Sequence, residues 1–248
     1  MSGVRGSEFY QGAALAAYLE RAVPDRHSPN HVMEEPAVLA EIGDPTGLRV
    51  LDLGCGDGRF GLALLAGGCA GYSGIDGSPT MVARARQILA GTEATVELGD
   101  LEELTARPED YELITARLCL HYLAELAPVL EAMAGSLAPG GRVLLTVVHP
   151  VLTSHADDAV DPRTSWLVDD YFVPGPRERP WFGSMVTWYH RTVEQYVDAV
   201  LATGLEICAI RECEPVADRF DGDDAEFRRR LRVPAFLLIS ARKPPTES

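Results

Sequence analysis

The sequence predicts a doubly wound α/β fold on a mostly parallel, seven-stranded sheet. Three observations point there. Apolar stretches of strand length alternate with helical stretches over residues 48–146, the signature of parallel βαβ units. The first such strand runs into a glycine-rich turn, Gly54-Cys55-Gly56-Asp57-Gly58. Two acids, Asp52 and Asp76, stand at the ends of the first and second strands, so both project from one sheet edge.

Two helices are expected before the first strand, over 8–22 and 31–42. Asn30 is placed to cap the second, and Pro24-Asp25-Arg26-His27-Ser28-Pro29 is a polar link between them. Strands are expected over 48–53, 71–76, 94–98, 111–115 and 141–148, and helices over 58–67, 78–90 and 121–136. Leu126, Val129, Leu130, Met133 and Leu137 recur at steps of three and four, which gives the last helix one buried face. The chain later resumes with a helix over 192–202 closed by Gly204, a strand over 205–211, a polar helix over 221–231 and a strand over 235–241. That makes seven strands.

The stretch 150–185 breaks the alternation. It carries Pro150, Pro162, Pro174, Pro176 and Pro180 among the aromatics Trp166, Tyr171, Phe172, Trp181 and Phe182. Disordered segments are poor in aromatics. The stretch leaves the fifth strand at the carboxyl edge, where open α/β sheets bind ligands, so it is expected to cover a substrate. The division expected is a helical cover (1–47), a cofactor-binding core (48–149), a substrate cap (150–187) and a C-terminal completion of the core (188–248).

The glycine turn narrows the ligand. Alternate glycines let backbone approach a ligand, ahead of free N–H groups at a helix start. A dinucleotide fingerprint would need glycine where Arg59 stands, and a phosphate loop would need a nearby lysine. The pattern present is D-x-G-x-G-x-G, whose strand acid disfavours phosphate and favours a cation.

This pattern resembles the class I S-adenosylmethionine-dependent methyltransferases of small-molecule type. Four further segments follow in that family's order and spacing: Tyr72-Ser73-Gly74-Ile75-Asp76, Ala94 to Leu101, Tyr111 to Tyr122, and Leu137-Ala138-Pro139-Gly140-Gly141 with the strand after it. Tyr189 to Val197, with Gly204-Leu205, is similar to a run in one subgroup of small-molecule methyltransferases. The resemblance implies a Rossmann-like methyltransferase fold, S-adenosylmethionine as cofactor and S-adenosylhomocysteine as product. It implies that Gly54 and Gly56 lie under the methionine part and that Asp52 faces its ammonium or sulfonium end. It puts Asp76, twenty residues past Gly56, on the ribose diol. Asp100 would accept from the adenine amino group and the Leu101 amide would reach the ring. Gly77, Met81 and Arg117 complete the implied cofactor set. Tyr18, Arg26, His27 and Asn30 could face the methionine carboxylate, or else form a cover and a surface loop.

Methyl transfer from a sulfonium is an in-line displacement, and positioning supplies much of its acceleration. A base is needed only if the acceptor arrives protonated. The candidates are His149, His121 and His190. His149 opens the cap, or is a histidine bonded to backbone at a strand end. His121 faces the acceptor or caps a helix, and His190 serves catalysis or structure. Tyr122 and Tyr189 are alternatives to them. Trp166, Tyr171, Trp181, Trp188 and Tyr122 could line an acceptor pocket, apolar or built for a cation, or could pack the cap's own core. Two other functions stay open: a cofactor-binding protein catalysing a non-methylating step such as a cyclisation, and a non-catalytic binding protein.

Composition bounds the partner. The net charge of −15 repels a polyanion. The only basic cluster, Arg228-Arg229-Arg230 with Arg232, can equally be a solvated helix end. A small-molecule substrate is expected, with no nucleic acid, no membrane and a monomeric or homodimeric state. No apolar run is long enough to span a bilayer, and the first residues lack a signal-peptide core. Five cysteines without a C-x-x-C pair suit reduced thiols in the cytoplasm and no zinc or other metal site. The sole lysine, Lys243, stands in the terminal tail, away from any Schiff-base chemistry.

Overall fold

The computed structural model describes residues 12–21, 27–108, 110–155 and 165–245. The strands are β1 (Arg49–Leu53), β2 (Gly71–Asp76), β3 (Thr95–Leu98), β4 (Tyr111–Arg117), β5 (Leu137–Val148), β6 (Gly175–Trp181), β7 (Ser184–His190), β8 (Glu206–Glu212) and β9 (Phe236–Arg242). The helices are α1 (Gly12–Arg21), α2 (Glu35–Ile42), α3 (Arg59–Ala66), α4 (Pro79–Ile88), α5 (Ala127–Ser136), α6 (Pro150–Thr153), α7 (Val193–Leu201) and α8 (Asp224–Arg230).

Seven strands form one sheet in the order β3-β2-β1-β4-β5-β9-β8. All neighbours pair in parallel except β9, which runs antiparallel to both β5 and β8. The chain steps outward from β1 to β3, then returns to the other side of β1 as β4. That reversal opens a crevice at the carboxyl ends of β1 and β4.

Side chains alternate across the sheet, so β1 feeds two cores. Val50 packs with Val38, Ile42, Phe60 and Leu64 on one face. Leu51 and Leu53 pack with Leu130, Met133, Tyr196 and Val200 on the other. Helices therefore cover both faces, and β1 is buried along nearly its whole length. Helix α7 begins with a capping box: Gln195 N–H donates to Thr192 Oγ1, and Thr192 N–H donates to Gln195 Oε1. Gly204, at φ +80°, turns the chain after it.

Some local expectations are corrected. Asn30 does not cap a helix. It lies inside a π-helical turn, Asn30–Glu34, that runs into α2, and Ser28 accepts from the His31 and Val32 N–H groups instead. The helix expected over 121–136 begins only at Ala127, with Pro128 in its first turn. Before it, Leu120–Tyr122 is a single 3-10 turn, and Arg191 holds the next segment by donating to the Leu123 and Ala124 carbonyls. The described part of the 150–187 stretch contains α6 and the antiparallel β6–β7 hairpin. That hairpin continues through His190, so it crosses the boundary expected at 187.

Among the described residues no helix is long and apolar enough to cross a membrane. The arginine cluster pairs with acids of its own helix: Arg229 and Arg230 with Glu226, and Arg228 with Asp224.

Candidate active site

The turn after β1 puts Gly54, Gly56 and Gly58 at φ +70°, +57° and +80°. A Cβ on Gly54 would stand 2.7 Å from Cys119 Cβ, so no side chain fits there. A Cβ on Gly56 would meet nothing within 4 Å, which leaves that face of the turn open for a ligand. Gly56 N–H donates to Asp76 Oδ2 at 2.9 Å and Ser78 N–H to Oδ1 at 2.8 Å. Each carboxylate oxygen thus keeps further lone pairs for a ligand hydroxyl. Burial raises the Asp76 pKa, and the two amides work against that rise.

Asp52 is more fully committed to the protein. Its Oδ2 accepts from the Tyr72 hydroxyl at 2.6 Å and its Oδ1 from the Thr115 hydroxyl at 2.7 Å. Burial raises its pKa, and these two hydroxyls pull it back.

Arg117, at the end of β4, makes a bidentate ion pair with Glu34 and lies 4.0 Å over the Phe60 ring. Glu34 is fully buried and also accepts from the Thr146 hydroxyl at 2.7 Å. Burial acts to lower the Arg117 pKa, but Glu34 beside it holds that pKa above the ordinary value. The sequence reasoning missed Glu34. Its one signal was a glutamate set among the apolar residues Val32, Met33 and Val38. Cys55 and Cys119 flank the turn, and burial raises both thiols well beyond the neutral range, so neither supplies a thiolate nucleophile.

A single cavity of about 1040 Å³ runs from this turn to the hairpin. Six rings along it touch in series. Tyr18 meets Phe182 at 5.6 Å, and Phe182 meets Trp181 at 5.1 Å. Trp181 meets Trp188 at 5.5 Å, Trp188 meets His121 at 5.4 Å, and His121 meets Tyr122 at 4.4 Å. Phe182 sits at the hairpin tip with φ +46°, followed by Gly183 at +81°. A type I′ turn demands positive φ at both central residues, and a bulky aromatic residue adopts it only under strain.

His121 is buried, and its Nδ1 has no hydrogen-bond partner among the described residues. Burial, with Arg191 nearby, lowers its pKa to about 3, so the ring is neutral at pH 7. The Trp181 and Trp188 indole N–H groups are likewise buried and unpaired. Leaving such a group unsatisfied costs about 1–3 kcal/mol.

Among the residues singled out in the sequence, Asp52, Gly54, Gly56, Asp76, Gly77, Met81, Asp100, Leu101 and Arg117 line this cavity. So do His121, Tyr122, Trp166, Trp181 and Trp188, together with Tyr18 and Asn30. The structure does not bring His149, His190 or Tyr171 to it. His149 caps α6, its Nδ1 accepting from Val151 N–H at 3.2 Å while its Nε2 lies 3.2 Å from Glu212. That Nε2 contact has ion-pair distance without the alignment of a hydrogen bond. His190 Nε2 donates to the Tyr171 carbonyl and its Nδ1 accepts from the Thr153 hydroxyl, so both nitrogens are occupied. The Tyr171 hydroxyl accepts from Val193 N–H at the start of α7. His27 stacks on Phe220 and approaches Asp221, and Arg26 lies outside the described residues.

Residues 50–141 match the family described as a methyltransferase domain. A solved S-adenosylmethionine dependent methyltransferase from Mesorhizobium loti is 33% identical, with a TM-score of 0.78 over 85% of this chain and 97% of its own. A candidate S-adenosylmethionine dependent methyltransferase structure from Listeria monocytogenes is 30% identical, with a TM-score of 0.74 over 84% of this chain and 96% of its own. The trans-aconitate 2-methyltransferase of Delftia acidovorans is 28% identical over 84% of this chain and 92% of its own length.

Proposed function

Because the chain belongs to the class I S-adenosylmethionine-dependent methyltransferases, we propose that it methylates an oxygen, nitrogen or carbon of a small molecule held under the β6–β7 hairpin. One observation carries this reading: the cavity that starts at the Gly54–Gly58 turn and Asp76 ends at Trp181, Trp188 and His121. A hairpin roof suits a compact acceptor better than a macromolecular surface. The net charge and the internally paired arginines of α8 argue against nucleic acid. Free cysteines fit a reducing compartment, and the cytoplasm is the location this reading assigns.

The turn fits the cofactor, since its Gly56 face is open and Asp76 has unused lone pairs beside it. Asp76 would hold the ribose diol, Asp100 and Leu101 the adenine, and the Gly54–Gly56 backbone the methionine part. Asp52, anchored by Tyr72 and Thr115, would place negative charge near the cationic end. The cofactor supplies a sulfonium-activated methyl group for in-line displacement by a nucleophile. Trp181, Trp188 and Tyr122 exclude water and fix the acceptor's orientation. His121 orients the acceptor and takes up no proton at neutral pH, because a general base works best with a pKa near the operating pH. The test is incubation with S-adenosylmethionine and a panel of small metabolites, followed by mass spectrometry. A product heavier by one methyl, formed with S-adenosylhomocysteine, is expected. Conversion of an acceptor without any mass gain would favour a non-methylating step instead.

A further inference from the structure

We infer that the acceptor carries carbonyl or carboxylate oxygens, and that the indole N–H groups of Trp181 and Trp188 are the donors that bind them. The inference rests on the proposed methyl-transfer reading and names its acceptor class. Both indoles line the cavity, both N–H groups are buried, and neither finds an acceptor among the described residues. An indole nitrogen is a donor only. A ligand that satisfies it must bring an acceptor atom, for which a carbonyl or carboxylate oxygen is the strongest choice, and a protonated or quaternary amine brings none. The alternative, a cage of aromatic faces for a cation, conflicts with how the rings meet. Trp181 packs against Phe182 at 84° and Trp188 at 62°, and Trp188 packs against His121 at 86°. In such edge-to-face pairs the edge of one ring covers one face of the next, which leaves fewer open faces than a cation cage uses. Trp166 behaves differently: its indole N–H already donates to the Val151 carbonyl at 3.0 Å. The chain has only three tryptophans, so the contrast can be read directly.

The experiment is a ¹⁵N-indole spectrum of the full chain saturated with S-adenosylhomocysteine, its three signals assigned by Trp→Phe variants. Benzoate, acetophenone and benzyltrimethylammonium are titrated in separately. Benzoate or acetophenone should move the Trp181 and Trp188 signals while Trp166 stays in place, and the ammonium probe should move none of the three. Trp188→Phe keeps an aromatic side chain and removes the donor, so it should weaken the responding oxygen probe about tenfold and leave S-adenosylhomocysteine affinity unchanged. Tighter binding of the ammonium probe overturns the inference, as does an oxygen probe that leaves both signals still, or no binding by any of the three. S-adenosylhomocysteine binding without an indole response defeats this inference alone. Failure of S-adenosylhomocysteine to bind defeats the function reading and this inference with it.

Discussion

The two ends of the cavity are built by opposite rules. At the strand ends nearly every polar group is already engaged by the protein: Asp52 by two hydroxyls, Asp76 by two amides, Arg117 by Glu34. Under the hairpin, two indoles and an imidazole have buried nitrogens without hydrogen-bond partners among the described residues. The first end is preorganised for one ligand, with little reorganisation left to make on binding. If the second end binds the acceptor as proposed, its unsatisfied donors would penalise any ligand that fails to meet them.

The sharpest way to break this contrast is at Glu34. Glu34→Ala leaves Arg117 buried without its counter-ion and should cost about 3–5 kcal/mol, as for other buried pairs that lose one partner. Urea denaturation reads this, and an unchanged midpoint would show that Arg117 escapes to solvent. Next in size is Asp76→Ala, which removes charge-assisted bonds worth about 1.5–3 kcal/mol and frees the Gly56 and Ser78 amides. Calorimetry should show S-adenosylhomocysteine affinity down about tenfold or more, and an unaltered affinity would remove the ribose role.

The pH dependence probes the second end. Burial lowers the pKa of His121 to about 3 from an ordinary 6.5, and the unfolded chain has the ordinary value. Between these limits the unfolded state binds a proton that the folded state refuses. Stability is therefore full above pH 6.5 and falls as the pH drops through that window, by at most about 1.4 kcal/mol per pH unit from this residue. Burial also lowers His149 and His190, which adds to the fall, whereas the raised Asp52 and Asp76 oppose it on the acid side. Thermal melts of His121→Gln should show a shallower acid slope than the parent, and parallel slopes would rule out a buried neutral imidazole.

Trp181→Ala loses ring contacts worth about 0.5–1.5 kcal/mol each. It should reduce acceptor turnover roughly in proportion while S-adenosylhomocysteine affinity stays constant, and a parallel loss of both would mean that the two ends are not separable. The smallest effect is expected at Phe182→Gly. Relief of about 1–2 kcal/mol of left-handed strain offsets the lost contacts to Trp181 and Tyr18, so the melting temperature should barely move. A rise in acceptor KM would then isolate the tip's functional role.

The same contrast decides what could be read from sequence. Gly54, Gly56 and Asp76 act through backbone conformation and strand position, which are local properties, and the crevice follows from the order of the βα units. The seven strands of the sheet were legible for that reason, although β5 starts four residues earlier than expected, at Leu137, and β4 runs on to Arg117. The ring series was not, because its members come from α1, the hairpin and the loop after β4, and only tertiary packing brings Tyr18 to Phe182 or Trp188 to His121. Histidine roles were hidden for a related reason. His149, His121 and His190 look alike in sequence, but a backbone amide and Glu212 take the first, and Thr153 and Tyr171 the last. Only His121 is left facing the cavity. The 121–136 helix failed locally, since Pro128 and the Arg191 contacts favour an extended segment ahead of α5.

The placement of the hairpin bears on how such a protein changes its diet of substrates. β5 pairs with β9 through Val148 opposite Phe236, so the sheet is zipped shut before the chain departs into the insertion. The hairpin closes on itself, from Gly175 opposite His190 to Trp181 opposite Ser184. Lengthening, reshaping or exchanging it asks little of the sheet that holds the cofactor. If the hairpin roofs the acceptor as proposed, a change within it would alter the choice of acceptor and leave the methyl donor's seat intact.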